Sequence, residues 1–452
     1  MKITNIKIEK LFGRFDYNIN LDQEDDITIL TGPNGYGKTT ILNIIYNLFN
    51  FRFFYFQKLK FERITIDFTE NKSVIINKKN RGLESLLIEN IHNNSARFNI
   101  VVELKENESI NSTYTYDTKA EKLFLSKLKD YIDITSGSNF LIKRIDFNEV
   151  EVYNFLNENQ DNIPNEIFDS IKGVDSSNKK LFETINAHNV YLIKEQRLIS
   201  INQLSNEGAG FKSYKNTYLK TIEAYANEFK KLIEEKQLEA YTIAQQLDSS
   251  FPKRLISMQE SEALSEEEFK ERYLKLAIKQ KQLQKLGITF GEEDSNPEYD
   301  DSSANVLTVY LQDSEKKIRV YDELLEKINL FENILNEKRF AFKEIIIDKT
   351  KGFYFQTDTK DILNLSDLSS GEQHEVVLLY QLLFKTEPNT LILIDEPEIS
   401  LHVMWQKAFI ADLQKIGEIN KTSFLIATHS PQIINNSWDL ARDLYELSEN
   451  KQ

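Results

Sequence analysis

One nine-residue stretch constrains this chain more than any other: Gly32-Pro33-Asn34-Gly35-Tyr36-Gly37-Lys38-Thr39-Thr40. It fits G-x-x-x-x-G-K-[ST], a loop whose glycines let backbone N–H groups approach phosphate oxygens with no Cβ in the way. Glycine is scarce here, 14 in 452 residues, yet three fall between positions 32 and 37. The flanks agree with the motif. Ile27–Leu30 reads as a short buried strand, and Ile41–Ile45 as the opening of a helix. That helix start adds unpaired N–H donors and partial positive charge. Lys38 then supplies the cation for β/γ-phosphates and Thr39 a hydroxyl for Mg²⁺. Asn34, Gly35, Gly37 and Thr40 complete the expected ATP-binding set.

A second apolar run, Leu391–Ile394, ends in Asp395-Glu396. Open α/β sheets bind ligands at the carboxyl ends of their strands, so these acids should face the loop. Asp395 then holds Mg²⁺ directly or through water. Glu396 polarises an attacking water as general base. Leu368-Ser369-Ser370-Gly371-Glu372-Gln373 opens another apolar helix. Ser369 with Glu372 three residues on is a capping box, which is locally sufficient. The sharper reading gives Ser369, the Gly371 N–H and the helix dipole to the γ-phosphate bound by a second molecule. His429, after the strand Phe424–Ala427, is either a structural histidine or a γ-phosphate contact beside the acids.

In order and spacing these elements resemble an ABC-type ATPase of the SMC/RecF-like group. Gly32–Thr40 matches Walker A, Leu368–Gln373 the signature, Leu391–Glu396 Walker B, Glu398–His402 the D-loop region and His429 the switch histidine. The resemblance implies an α/β head of the P-loop class, split by an inserted coiled-coil-like helical arm. It makes Gln196, in Lys194-Glu195-Gln196-Arg197, the Q-loop residue and a further Mg²⁺ contact. It also implies at least a homodimer, because a signature of this class cannot reach the P-loop of its own head. Assemblies up to a hexamer or beyond are compatible with it. Asp395–Gln406 and Ala427–Ile433 further resemble the ATPase subunits of PARIS and Septu antiphage systems, PARIS the nearer. Those ATPases work with a separately encoded effector, a Toprim-like nuclease in PARIS and an HNH nuclease in Septu.

The remaining sequence sets the frame. There is no cysteine, so disulfides, thiolate catalysis and cysteine-ligated zinc are out, and the five histidines show no zinc-site spacing. No run of 18 apolar residues and no signal-peptide h-region occur, which suits a cytoplasmic protein without a membrane partner. The net charge of −15 argues against a generally basic nucleic-acid binder. Residues 1–100 nevertheless carry 14 Lys+Arg against 11 Asp+Glu, and Lys72, Lys78, Lys79 and Arg81 read as a solvated basic hairpin face.

The N-terminal half of the head should span about 1–205. Alternation in 6–21, 64–76 and 98–102 gives it antiparallel strands, and about 104–185 reads as a polar insertion with helical pieces near 121–131 and 149–157. Val190–Ile193 reads as another strand. Helical spacing through Ile222/Tyr225/Phe229, Phe269/Leu276/Leu283 and Tyr321/Leu325/Ile328/Phe331/Leu335 marks the arm, 212–347, in stretches each too short for a long rod. Glu292–Asp301, acidic and holding Pro297, reads as a mobile loop. Residues 350–452 complete the head.

The expectation is thus an ATP-hydrolysing sensor or scaffold of an antiphage system, triggered by a phage protein or DNA and controlling a nuclease or toxin in trans. Only about twenty residues follow His429, so a Toprim domain after the head is not expected. The rival expectation is a RecF/SMC-like DNA-binding ATPase of DNA repair or maintenance, which a steep salt dependence of DNA binding would favour.

Overall fold

The computed structural model describes residues 2–21, 26–80, 98–117, 177–193, 213–257, 263–288, 299–337, 342–399 and 401–449, plus 120, 123–124, 126–128 and 340, with 213–220 by backbone alone. The chain divides into two compact units, Met1–Tyr214 with Thr386–Gln452, and Lys215–Lys385.

The first unit opens with the antiparallel pair β1 (Ile3–Leu11) and β2 (Phe15–Asn20), Ile8 facing Tyr17. Next come β3 (Ile27–Thr31), buried along its length, and α1 (Lys38–Phe49). After α2 (Phe54–Lys58) follow β4 (Arg63–Phe68), β5 (Lys72–Asn80), β6 (Phe98–Glu106) and β7 (Ser109–Tyr116). These strands make an antiparallel sheet in the order β2-β1-β4-β5-β6-β7. Its inner face, including Ile6, Ile8, Ile64, Ile66, Val74 and Ile76, shares one core with Ile41, Ile44, Ile45 and Leu48 of α1. The alternation of these strands is the half-buried pattern of period two. β7 and α3 (Lys179–Asn186) lie inside the stretch read as an insertion, yet both belong to this core. Tyr114, Tyr116, Leu181, Phe182 and Ile185 are buried there, as are the helical Phe124 and Leu128. The piece near 149–157 lies outside the described residues. β8 (Val190–Ile193) closes this half.

The second unit is helical first. α4 (Ser213–Ser257) is one helix of 45 residues, longer than any single stretch the spacing suggested. At 1.5 Å per residue it spans about 65–70 Å, so the expectation of short stretches is corrected here. α5 (Glu266–Lys285) starts on a Ser265–Glu268 capping box and buries Phe269, Leu276 and Leu283. α6 (Ala304–Arg319) and α7 (Asp322–Asn336) follow, and α7 buries Leu325, Ile328, Phe331 and Leu335. Most of the acidic segment from Glu292 lies outside the described residues. A small antiparallel sheet, order β11-β10-β9, comes next: β9 (Lys343–Asp348), β10 (Gly352–Thr357) and β11 (Ile362–Leu363). α8 (Ser370–Tyr380) follows and ends in a π-helical turn, Gln381–Lys385. Rings from four elements meet: Tyr225 stacks on Tyr380 at 4.6 Å, and Phe229 and Phe331 meet Phe384 at 4.9 and 5.6 Å. Phe353 joins from β10. This cluster makes β9–β11 and α8 part of the helical unit, so the compact-unit boundary falls at Lys385/Thr386.

The chain then returns to the first unit with β12 (Leu391–Asp395), α9 (Val403–Asn420), β13 (Ser423–Ala427), α10 (Pro431–Ile434), β14 (Ala441–Asp443) and α11 (Leu444–Glu449). A parallel sheet forms in the order β14-β3-β13-β12-β8. β3, β12 and β13 are apolar runs because both faces are covered. The result is a P-loop α/β ATPase fold with the glycine loop after β3 and the acids after its sheet neighbour but one, β12.

Candidate functional site

The loop Gly32–Gly37 turns through positive φ at Gly32, Gly35 and Gly37. At Gly37, φ +90°, a Cβ would also stand 3.0 Å from Leu11 Cδ2, so only glycine fits. Gly37 is the N-cap of α1 and offers no side chain to its first turn. The first N–H groups of α1 are therefore left for an anion. Tyr36, between the last two glycines, is anchored: Tyr17 O–H donates to its carbonyl at 2.7 Å, and its ring lies against Phe15 and Tyr445. Burial, with Tyr36 nearby, pushes the Tyr17 phenol far above its ordinary value, so it stays a donor.

Lys38 is buried at the start of α1. Its Nζ donates to Gly32 O at 2.9 Å and Pro33 O at 3.4 Å, and stands 2.5 Å from His429 Nε2. Burial lowers the Lys38 ammonium, and Glu396, Asp395, Glu398 and Asp443 work against that lowering. Thr39 Oγ1 donates to Asp395 Oδ1 at 3.0 Å, joining α1 to the end of β12. Two adjacent ligands of an octahedral Mg²⁺ at about 2.0–2.1 Å stand about 2.9 Å apart, so this oxygen pair already has the right spacing. Mg²⁺ keeps several waters and takes phosphate oxygens, so one hydroxyl and one carboxylate suffice from the protein.

Glu396 has φ +44°, a left-handed conformation that costs a non-glycine residue roughly 1–3 kcal/mol. Its N–H donates to Ala427 O at 2.8 Å. The twist turns the chain off the sheet and brings Oε1 to 4.0 Å from His429 Nε2. Lys38, Thr39, Asp395, Glu396 and His429 therefore converge at the carboxyl ends of β3, β12 and β13, where the sequence reading placed them.

Ser369 and Gly371 belong to the other unit. Ser369 caps α8, accepting from Glu372 N–H at 3.3 Å, while Glu372 Oε2 accepts from Ser369 N–H at 2.7 Å. Lys343 Nζ donates to both Glu372 oxygens at 2.9 Å. Burial would raise the Glu372 carboxyl, but Lys343 and the Ser369 groups outweigh it and hold it below the usual range. Gln196 lies outside the described residues, as do Arg81 and Ser400. The basic hairpin face dissolves at Lys78. Its Nζ donates to Gln57 O at 3.0 Å and Leu59 O at 2.5 Å, lies against the Phe61 and Phe98 rings, and is lowered by burial to about 8. Tyr17 and Glu398 were missed as site residues. For Glu398 the sequence signal is its place at the head of the D-loop match Glu398–His402, which gives the residue no role of its own.

The family model described as "AAA ATPase domain" matches residues 1–434. The chain belongs to the AAA ATPase domain family. Like the family, it is an ATPase. No curated protein matches it. Among solved structures it is similar to the Smc head domain with an extended coiled coil from Pyrococcus furiosus, bound to the C-terminal domain of ScpA: 13% identity, 96% of this chain, 91% of that chain, TM-score 0.32. The SMC head domain from Thermotoga maritima gives 12% identity, 98% and 92% coverage and TM-score 0.30. The SmcHead bound to the C-winged helix domain of ScpA gives 11%, 96% and 92%, with TM-score 0.34. Among the described residues no helix is long and apolar enough to cross a membrane.

Proposed function

We propose that this AAA ATPase domain protein is a nucleotide-switched sensor of an antiphage system, governing a separately encoded nuclease or toxin. The observation that carries the catalytic part is the convergence of Lys38, Thr39, Asp395, Glu396 and His429. ATP binding requires Lys38 Nζ to exchange Gly32 O, Pro33 O and His429 for the β/γ-phosphate oxygens, while the N–H groups of 35–40 take the remaining phosphate charge. His429, released, donates to the γ-phosphate. Glu396 takes the proton of the attacking water at its carboxylate, 4.0 Å from the histidine ring. Thr39 and Asp395 would hold Mg²⁺, which neutralises charge developing on the phosphate oxygens.

Ser369 and Gly371 complete the site from a second copy. Among the described residues a Cβ at Gly371 would meet nothing within 4 Å, so no packing among them asks for glycine there. A close approach by a phosphate from another molecule does. The antiphage part rests on the resemblance of Asp395–Gln406 and Ala427–Ile433. These segments are one hydrogen-bonded unit through Glu398 and Gln406, so the resemblance falls on residues that act together.

The test is phage challenge of cells carrying the gene with its chromosomal neighbours. Protection should need both this chain and a neighbouring effector and vanish with Lys38→Ala. Nucleic-acid cleavage by the purified chain alone, abolished by mutating its own acids, would contradict an effector in trans.

A further inference from the structure

We infer that Glu398 is a positioning residue of the ATPase reaction, holding the His429 ring on the phosphate site through the backbone of the loop after β13. Glu398 lies in the 3₁₀ turn Pro397–Ile399, just past the acids of β12. Both oxygens of its carboxylate are used on two adjacent residues, Thr428 and His429. Oε2 accepts from Thr428 Oγ1 at 2.8 Å, and Oε1 accepts from the His429 N–H at 2.7 Å. A carboxylate bound at both oxygens fixes orientation as well as distance, and bonds to an ionised acceptor are the stronger kind.

A second tie backs the first. Ser430 Oγ donates to Gln406 Oε1 at 2.9 Å, and Gln406 Nε2 donates to Glu398 O at 3.2 Å and Leu401 O at 3.0 Å. Thr428 is fully buried; its N–H donates to Leu30 O at 3.1 Å and its Oγ1 accepts from the Ser430 N–H at 3.0 Å. The peptide carrying His429 thus cannot turn without breaking bonds to the Glu398 carboxylate. With that peptide held, Nε2 stands 2.5 Å from Lys38 Nζ and 4.0 Å from Glu396 Oε1. A loop merely in need of a cap would be served by one acceptor. One acceptor on the His429 N–H and the other on the hydroxyl of the residue before it fix the backbone from which the ring projects.

The inference rests on the reading of His429 as the γ-phosphate contact, so the experiment separates the two. On the full chain, kcat and ATP affinity are measured for wild type, Glu398→Ala, Glu398→Gln, His429→Ala and the Glu398→Ala/His429→Ala double variant. Glu398→Ala is expected to lower kcat by about 10²-fold, the cost of an angstrom-scale misplacement, and to leave ATP affinity within about threefold. Glu398→Gln keeps an acceptor for the His429 N–H and an amide for Thr428, and should recover most of the loss. In the His429→Ala background, Glu398→Ala should change kcat by less than about threefold, because the two act as one. An equal loss in both backgrounds, or an unchanged kcat in Glu398→Ala, overturns the inference. His429→Ala with wild-type kcat would instead sink the role given to His429. Should Glu398→Ala fail to fold, Thr428→Ala removes one arm of the clamp and enters the same cycle, with an expected loss of about tenfold that disappears without His429.

Discussion

The parallel sheet of the first unit and the helix α8 of the second are held by different material. The parallel sheet of the first is aliphatic, with Ile29, Leu30, Ile392, Leu393, Ile394, Leu425 and Ile426 sealed inside it, while rings such as Phe53, Tyr114 and Phe182 pack the antiparallel half of the same unit. In the second, rings surround the end of α8: Tyr225, Phe229, Phe331, Phe353, Tyr380 and Phe384. Parallel strands end side by side, so residues far apart in sequence gather at one edge with their polar ends free for chemistry. An aromatic cluster gathers nothing of that kind. It braces a helix start, and Lys343 locks that start through Glu372. The first unit therefore brings Lys38, Thr39 and Glu396 to one edge, and the second holds Ser369 and Gly371 at the start of α8.

The largest effect should come from the chemistry. Glu396→Gln keeps the side-chain shape and leaves ATP and Mg²⁺ binding intact, and turnover should fall about 10²–10⁴-fold. Steady-state hydrolysis beside a binding isotherm checks it, and unchanged turnover moves the base to another residue. Lys38→Ala removes the ammonium held in the glycine loop and should weaken ATP by about 10²-fold or more, read by calorimetry. Near-normal affinity would break the assignment of binding to the first unit.

Changes in the second unit should act on stability. Gly352, φ +75°, packs so close that a Cβ would stand 1.8 Å from Ala226 O. Gly352→Ala should cost about 3 kcal/mol or more in thermal unfolding, more than a surface change could. Smallest is the effect of Lys343→Met. The Glu372 carboxyl is held below its ordinary value, so its contribution is present above the unfolded-state value of about 4.3 and is lost as pH falls through the lower folded value. Without Lys343 the folded value rises, so the variant should lose this contribution at higher pH than wild type. Near-UV circular dichroism of the Tyr225–Tyr380 stack follows it. Identical acid profiles would remove Lys343 from the brace.

The division also governs what the sequence disclosed. Gly32–Thr40, Asp395-Glu396 and the strands before them were legible because motif and apolar run sit together in the chain. The bonds of Glu398 were not, since its partners Thr428 and His429 lie about thirty residues on and the bonds exist only once β12 and β13 pair. β7 was hidden by its composition: Ser112, Tyr114 and Tyr116 face the core, but Ser109, Asn111, Thr113 and Thr115 are polar and its one aliphatic residue, Ile110, is exposed. The continuity of α4 was hidden where apolar spacing lapses around Glu234-Glu235-Lys236-Gln237. Good helix formers carry the backbone through that stretch. The rings uniting α4, α7, β10 and α8 span more than 150 residues, beyond the reach of any local period.

The central claim is that the chemistry of one copy is completed by the placement supplied by another. Mixing Lys38→Ala with Ser369→Arg tests it. Each variant alone carries two broken sites and should be inactive. In a mixed dimer one site holds both lesions and the other neither, so random exchange should restore roughly a quarter of the wild-type ATPase rate. No recovery, with subunit exchange demonstrated in the same sample, would contradict the account.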